Sequence, residues 1–329
     1  MRNPGSRGGG GARELVGFAA IGLALGLGYL LMPDSLALLT RMIALMLLVM
    51  SLDLVTGVGG VATLGQAALY GAGAYAAGIA SARLGIGDPL VMLAVGGLAG
   101  AGAGLVGGAL VLRGEGLARL VLSIAFAQVL HEAASKASGI TGGSDGLTGI
   151  AIAPLFGLFA FDLWGRTVYW LAGSLLLIVL VILRALVRSP FGLACAAIRI
   201  NRERAETLGV RTRPILLRLF VVSGLVAGLG GALSAISTRV VGLDSLSFIL
   251  SADALVMLVI GGTGNIYGAL VGTFVYVLAQ DRLSALSPFH WIALVGALLI
   301  GVVLFVPRGM TGSLGALRYR PGAPGRRLR

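Results

Sequence analysis

Charge is scarce in this chain. Only 12% of its 329 residues are Asp, Glu, Lys or Arg, while 57% are hydrophobic. A soluble domain covers its surface with about 25% charged residues, so a water-soluble globule is excluded. Lysine is scarcer still, because Lys136 is the single one among 25 basic residues. The phosphate-binding pattern G-x-x-x-x-G-K-[ST] is absent, so no P-loop lysine is available and any ATP must be hydrolysed on another polypeptide. One cysteine, Cys195, rules out a disulfide within the chain. His131 and His290 lack ligand-like spacing, so no metal site is expected. No nucleophile–base pair or H-E-x-x-H falls on a helix, and no catalytic residue is assigned: the chain is not expected to be an enzyme. Two-residue alternation is also missing, which excludes a membrane β-barrel.

Long apolar runs take the place of everything absent. Ten hydrophobic segments occupy about 15–32, 36–55, 60–82, 90–112, 117–135, 163–187, 214–236, 248–261, 264–281 and 291–306. Helices are the spanning solution for such runs, because hydrocarbon leaves no partner for an open backbone. The fold class is therefore all-α, a polytopic transmembrane bundle. A cytoplasmic tail over 1–14 precedes a transmembrane domain over 15–310, and a basic tail follows over 311–329. Segment 15–32 lacks a small-residue cleavage site and is followed by Pro33-Asp34, so it reads as a retained helix rather than a signal peptide. The segments at 248–261 and 264–281 are short for full spans, and read as two half-length helices or a re-entrant hairpin.

The formal net charge of +12 sets orientation. With the N-terminus cytoplasmic and the segments alternating, nineteen basic residues fall inside and five outside, with Arg41 within a segment. The positive-inside rule favours this arrangement, with both termini cytoplasmic. Basic residues dispersed over cytoplasmic loops account for the charge without a nucleic-acid partner.

Glycine is abundant, at 54 residues. In lipid it allows helix backbones to approach closely, and segment 90–112, with seven glycines between Gly96 and Gly108, reads as a tightly packed interior helix. Two regions interrupt apolar helices with glycine and polar residues. The first runs from Asp53 through Gly57, Gly59, Gly60, Thr63 and Gly65 to Gln66; the second is Gly261-Gly262-Thr263-Gly264-Asn265. Broken helices at membrane depth are tolerated where they are covered by protein or line a water-filled path. Both regions are candidates for a translocation path, and each also reads as a tight cytoplasmic turn. Asp53, Gln66, Gln128, Asp253 and Gln280 lie within apolar segments and are expected to face the bundle interior. Arg41, His131 and Glu132 sit nearer segment ends, where side chains snorkel.

The loop over 188–213 is the longest charged stretch. Ser189-Pro190 ends the preceding span, and Ala194, Ala197, Ile198, Asn201, Ala205 and Leu208 recur at helical spacing until Gly209. An amphipathic helix beneath the membrane is expected there, terminated by a glycine C-cap. The mixed signs of Arg202, Glu203, Arg204 and Glu206 suit docking on a protein partner better than binding anionic lipid.

Four stretches then resemble one family, the LivM-type membrane subunits of branched-chain amino acid ABC importers, over roughly 40 to 315. They are GVGGVATLGQAALYGAGAY at 57–75, TGGSDGLTGI at 141–150, SPFGLACAAIRINRERAETLG at 189–209 and MLVIGGTGNIYGALVG at 257–272. The third also resembles the E-A-A-x-x-x-G pattern of importer permeases, with Glu203, Ala205 and Gly209 in register and Arg204 at the middle alanine. The resemblance implies a bacterial inner-membrane permease with partner ATPases, a second homologous permease and a periplasmic solute-binding protein. It implies an ATPase-coupling role for Arg199, Arg202, Glu203, Ala205, Leu208 and Gly209. It places Thr141, Gly142, Gly143, Asp145 and Gly146 in an outer-face motif that receives the solute. The family usually has Gln where Val61 stands, His where Gln66 stands and often Asn where Asp53 stands. These departures leave the solute open between branched-chain amino acids and the urea or short amides of related permeases. An ion-coupled secondary transporter is the rival reading; it would rest on Asp53 and Asp253 as buried carboxylates.

Overall fold

The computed structural model describes residues 21–31, 35–154 and 165–286, with positions 296 and 310 isolated. The expected segment at 291–306, the first part of that at 15–32, both tails and His290 lie outside the described residues. Among the described residues the chain is helical, with a single isolated bridge, Leu147 to Val241, in place of any sheet. The helices are α1 (Ile21–Leu31), α2 (Leu36–Leu52), α3 (Gln66–Ala82), α4 (Pro89–Val111), α5 (Leu117–Lys136), α6 (Ser138–Thr141) and α7 (Arg166–Arg188). They continue as α8 (Pro190–Ile200), α9 (Arg202–Thr207), α10 (Thr212–Thr238), α11 (Phe248–Gly261) and α12 (Ile266–Leu286).

Five of the described stretches are long and apolar enough to cross a membrane: Leu36–Val58, α4, α5, α7 and α10. A sixth span forms if α11 and α12, bent by 113° across a four-residue break, are counted together. The segment expected at 60–82 starts its helix only at Gln66. At 1.5 Å per residue α3 is about 25 Å long, short of the hydrocarbon thickness. The non-helical stretch between Gly59 and Gly65 supplies the remaining path; Val61 and Thr63 are buried in it while Gly60 and Ala62 are exposed, and backbone of this kind survives at such depth only where protein or a water-filled path covers it.

Two helices form the centre. In α2, Leu47, Leu48, Val49, Met50 and Leu52 are wholly buried, as expected of a helix that is apolar on every side. The other is α10, which packs on α2, α3 and α4. Its seam with α4 is built of glycine facing glycine. A Cβ on Gly100 would lie 2.7 Å from Cα of Gly228, and one on Gly224 would lie 3.0 Å from Cα of Gly104. Gly96, Gly100 and Gly104 repeat every fourth residue, as do Gly224 and Gly228, so one smooth stripe lies on another and dispersion between backbones replaces side-chain packing. At the periphery α1 docks on α7, where the Tyr169 hydroxyl donates to the Leu25 carbonyl at 2.7 Å and Tyr29 stacks on Tyr169.

Candidate functional site

The two glycine-broken regions meet in space. α2 ends in a π-helical turn over Asp53–Val58, the widened geometry that inserts an extra residue into a helix, often at a functional site. Asp53, 1% exposed, uses Oδ1 to accept the backbone N–H of Gly264 at 2.6 Å, a charge-assisted bond spanning 211 residues of sequence. Gly57 sits between them: a Cβ there would lie 2.6 Å from the Gly264 nitrogen. Gly264 has φ +83° and Gly262 φ +101°, conformations that exclude other residues without strain. Asn265 is a helix cap, its Oδ1 accepting from Tyr267 N–H at 3.2 Å at the start of α12.

Arg199 closes this junction from outside. Its Nη1 donates to the Gly57 carbonyl, its guanidinium lies against Gly264, and its aliphatic stem covers Gly60 at φ +68°. A residue expected in the coupling loop thus touches both regions expected to line the path.

The non-helical stretch after Gly59 is pinned by buried serines, a feature that sequence reasoning missed. Leu64 N–H donates to Ser123 Oγ at 3.0 Å and Ala67 N–H to Ser251 Oγ at 3.0 Å. Gln66 Nε2 donates to Ser51 Oγ at 2.8 Å and Ser223 Oγ at 2.5 Å. The first N–H groups of any helix lack intrahelical partners; at α3 that of Ala67 finds a hydroxyl on another helix. Intramembrane serine reads from sequence as a small packing residue, so no signal marked these four. Thr63 Oγ1 accepts from Gly65 N–H at 3.2 Å, and a Cβ on Gly59 would lie 2.5 Å from the Leu219 side chain. Beside Gln66 a small cavity is lined by Thr63, Gly65, Leu69, Val111, Ser123, Phe126 and Phe220 among others. Both serine hydroxyls bonded to Gln66 donate onward to carbonyls, Ser51 to Leu48 and Ser223 to Ser51. They therefore receive both amide protons of Gln66, and its Oε1 is left buried without a partner.

The coupling loop differs from the single helix expected. Asn201 is extended at φ −157°, and its side chain caps Arg204 N–H, so the helix breaks into α8 and α9. An Asn side chain that can cap a new helix competes with continuation of the old one. The expected glycine stop is present: Gly209 has φ +84°, with Gly209 N–H bonded to Glu206 O and Val210 N–H to Ala205 O, the paired bonds of a Schellman motif. Cys195, Ile198 and Ala205 are buried on the inner face. Leu208 is not; it is 78% exposed, with Ile200 at 85% and Leu193 at 66%. Glu203 and Arg204 are also exposed, while Arg202 pairs with Glu206 at 3.1 Å. Hydrogen bonds from Thr212 and then Arg202 hold the Glu206 carboxyl below its ordinary value.

At the opposite end of the fold, residues 141–149 form a glycine-built turn. Gly142, Gly143, Gly146 and Gly149 all have positive φ. Thr141 is buried, its hydroxyl donating to the Ala134 carbonyl at 2.6 Å, so it anchors the turn, while Asp145 is exposed. The bridge between Leu147 and Val241 ties the turn to the segment after α10. Asp253, the second carboxylate of the rival reading, accepts from the Tyr276 hydroxyl at 2.7 Å and joins α11 to α12. Gln128 is exposed on α5, not turned inward as expected, and Glu132 pairs with Lys136 at 3.3 Å on an exposed face.

The family described as branched-chain amino acid transport system / permease component matches residues 35–306. The high-affinity branched-chain amino acid transport system permease protein LivM of Escherichia coli K12 is 26% identical over 313 residues, 89% of this chain and 73% of the relative. LivH of the same organism is 29% identical over 148 residues, 45% of this chain and 47% of its own length. The autoinducer 2 import system permease protein LsrC of Photorhabdus laumondii is 30% identical over 138 residues, 40% and 41% of the two chains. No solved structure matches. The chain belongs to the branched-chain amino acid transport permease family, as a multi-pass membrane component and not an enzyme.

Proposed function

We propose that this chain is the membrane-spanning subunit of an ABC importer in a bacterial inner membrane, carrying branched-chain amino acids and driven by separate ATPase subunits. Both termini are cytoplasmic, the arrangement the arginine distribution favours. The observation that carries the reading is the α8–α9 elbow. Leu193, Ile200 and Leu208 stand exposed beside Glu203 and Arg204 on the arginine-rich side, where apolar knobs flanked by mixed charge suit a groove on a partner protein. The same elbow reaches, through Arg199, the junction of both broken helices. Solute arrives from a binding protein at the face bearing Thr141 to Gly146 and passes beside Gln66, at an interface shared with a second homologous permease. ATP acts on the partner chains, and a shift between inward- and outward-open states moves the solute.

The surroundings of Gln66 bear on the solute. Its carbonyl oxygen is an uncharged acceptor without a partner, close to aliphatic and aromatic side chains. The cavity has room for about one water molecule, so a solute reaches Gln66 only when the helices part; an acceptor among apolar side chains then suits N–H donors on an apolar body. Urea and short amides share the donors but not the apolar body, so they are the second reading.

Affinity purification of the chain from its own membranes, with mass spectrometry of co-purifying proteins, tests the assembly. P-loop ATPases and a second permease are expected, and a solitary chain that drives uptake from an ion gradient would overturn the reading. Uptake of radiolabelled leucine against urea by the reconstituted complex then separates the solutes.

A further inference from the structure

The junction at Asp53 is bonded differently from two other helix contacts described above. The α4–α10 seam is held by shape alone, and the start of α3 by neutral hydroxyls. At the junction one anion and one cation each bind the backbone of a glycine-broken segment. Asp53 holds the Gly264 N–H, and Arg199 holds the Gly57 carbonyl while resting on Gly264. The polar atoms that each of them grips are main chain.

We propose that Arg199 is a positioning residue for transport: with Asp53 it forms a clasp that locks the α8 elbow to the α2 π-turn and the α11–α12 break, so that the three move as one piece. The proposal rests on the reading of the elbow as the ATPase docking site and goes further, naming the atoms through which displacement of the elbow reaches the membrane interior. Gly57 and Gly264 are glycine because a side chain at either would enter the clasp. Gly60 is covered by the Arg199 stem, so the guanidinium approaches from one direction only. A lysine has the charge but not the planar fork with spaced donors, and is expected to hold the clasp poorly.

Reconstituted complexes in proteoliposomes test this by measuring solute uptake and ATP hydrolysis on the same vesicles and taking their ratio. A change that merely lowers the amount of assembled complex reduces both rates and leaves the ratio where it was. For Arg199→Ala the ratio is expected to fall about tenfold, and for Arg199→Lys several-fold, the usual range of a coupling between two sites. Asp53→Asn is expected to lower the ratio as well, and adding it to Arg199→Ala is expected to cause little further loss, because both act on one clasp. An unchanged ratio in Arg199→Ala, however low the separate rates, would overturn the proposal. So would full additivity of the two substitutions. A wild-type complex with no ATP-driven uptake overturns instead the functional reading on which the clasp depends.

Discussion

Glycine is put to opposite uses in two parts of this molecule. Along the seam of α4 and α10 it is helical, repeats every fourth residue, and serves by having no side chain to hold two backbones apart. At the junction of Asp53, Gly57 and Gly264 it is in turns, carries positive φ at Gly60, Gly262 and Gly264, and serves by leaving main-chain groups open to charged side chains. The seam is a contact between closely fitted backbones, held by dispersion. The junction is made of a few directional bonds, and such bonds can be exchanged without unpacking a helix. A residue type that looks uniform in composition therefore marks both a close-packed helix seam and a junction of main-chain hydrogen bonds.

Substitutions that treat the two regions alike sharpen this contrast. The largest effect is expected from Gly228→Leu, which drives a side chain into Cα of Gly100. Overpacking of this kind costs about 3 kcal/mol or more where backbone is the obstacle, and the yield of monodisperse protein from membranes should collapse. Gly102, on the same helix, has open space around its Cβ direction, and Gly102→Ala should leave that yield unchanged. A loss as large at Gly102 would mean that the seam is not the cause. Next comes Gly264→Ala. At φ +83° an alanine is strained by about 1–2 kcal/mol, so protein yield should persist while uptake by the reconstituted complex falls. If yield collapses there as it does at Gly228, the two regions do not differ in kind.

The smallest effect is expected on the cytoplasmic side and depends on pH. The Glu206 carboxyl is lowered by Thr212 and Arg202, so the stabilisation it gives the α9–α10 corner is complete above its unfolded value. It is lost as pH falls through the lower folded value. Limited proteolysis of the loop should therefore accelerate only at pH below the ordinary glutamate range, and Glu206→Gln should remove that dependence. Acceleration at neutral pH would show that another group holds the corner.

Much of this fold was legible in the sequence. Apolar runs gave the spans, Pro190 the end of α7, Gly209 the end of α9, and the run from Gly261 to Asn265 the break between α11 and α12. Local chemistry decides each of those, within one turn of the residue that signals it. What was not legible depends on distant partners. Arg199 and Gly57 are 142 residues apart, and no periodicity records their contact. Leu208 fell on the apolar face of a continuous helix, and became exposed because Asn201 caps α9 and resets its phase. The segment at 60–82 is largely apolar, yet its first residues stay non-helical, with hydroxyls of Ser123 and Ser251 on other helices taking the N–H groups of Leu64 and Ala67. The candidate path residues were thus named individually, while the junction that unites half of them came only from the tertiary structure.

Cys195 is wholly buried beneath the α8 elbow, and burial pushes its thiol up to about 11. At neutral pH roughly one thiol in ten thousand is then the reactive thiolate. The protein is consequently a natural blank for thiol chemistry: maleimide probes should pass over it, and a cysteine introduced at Thr263 or Ala196 would carry the label alone. Motion between the elbow and the helix break can be followed by fluorescence or spin labels without first engineering a cysteine-free background.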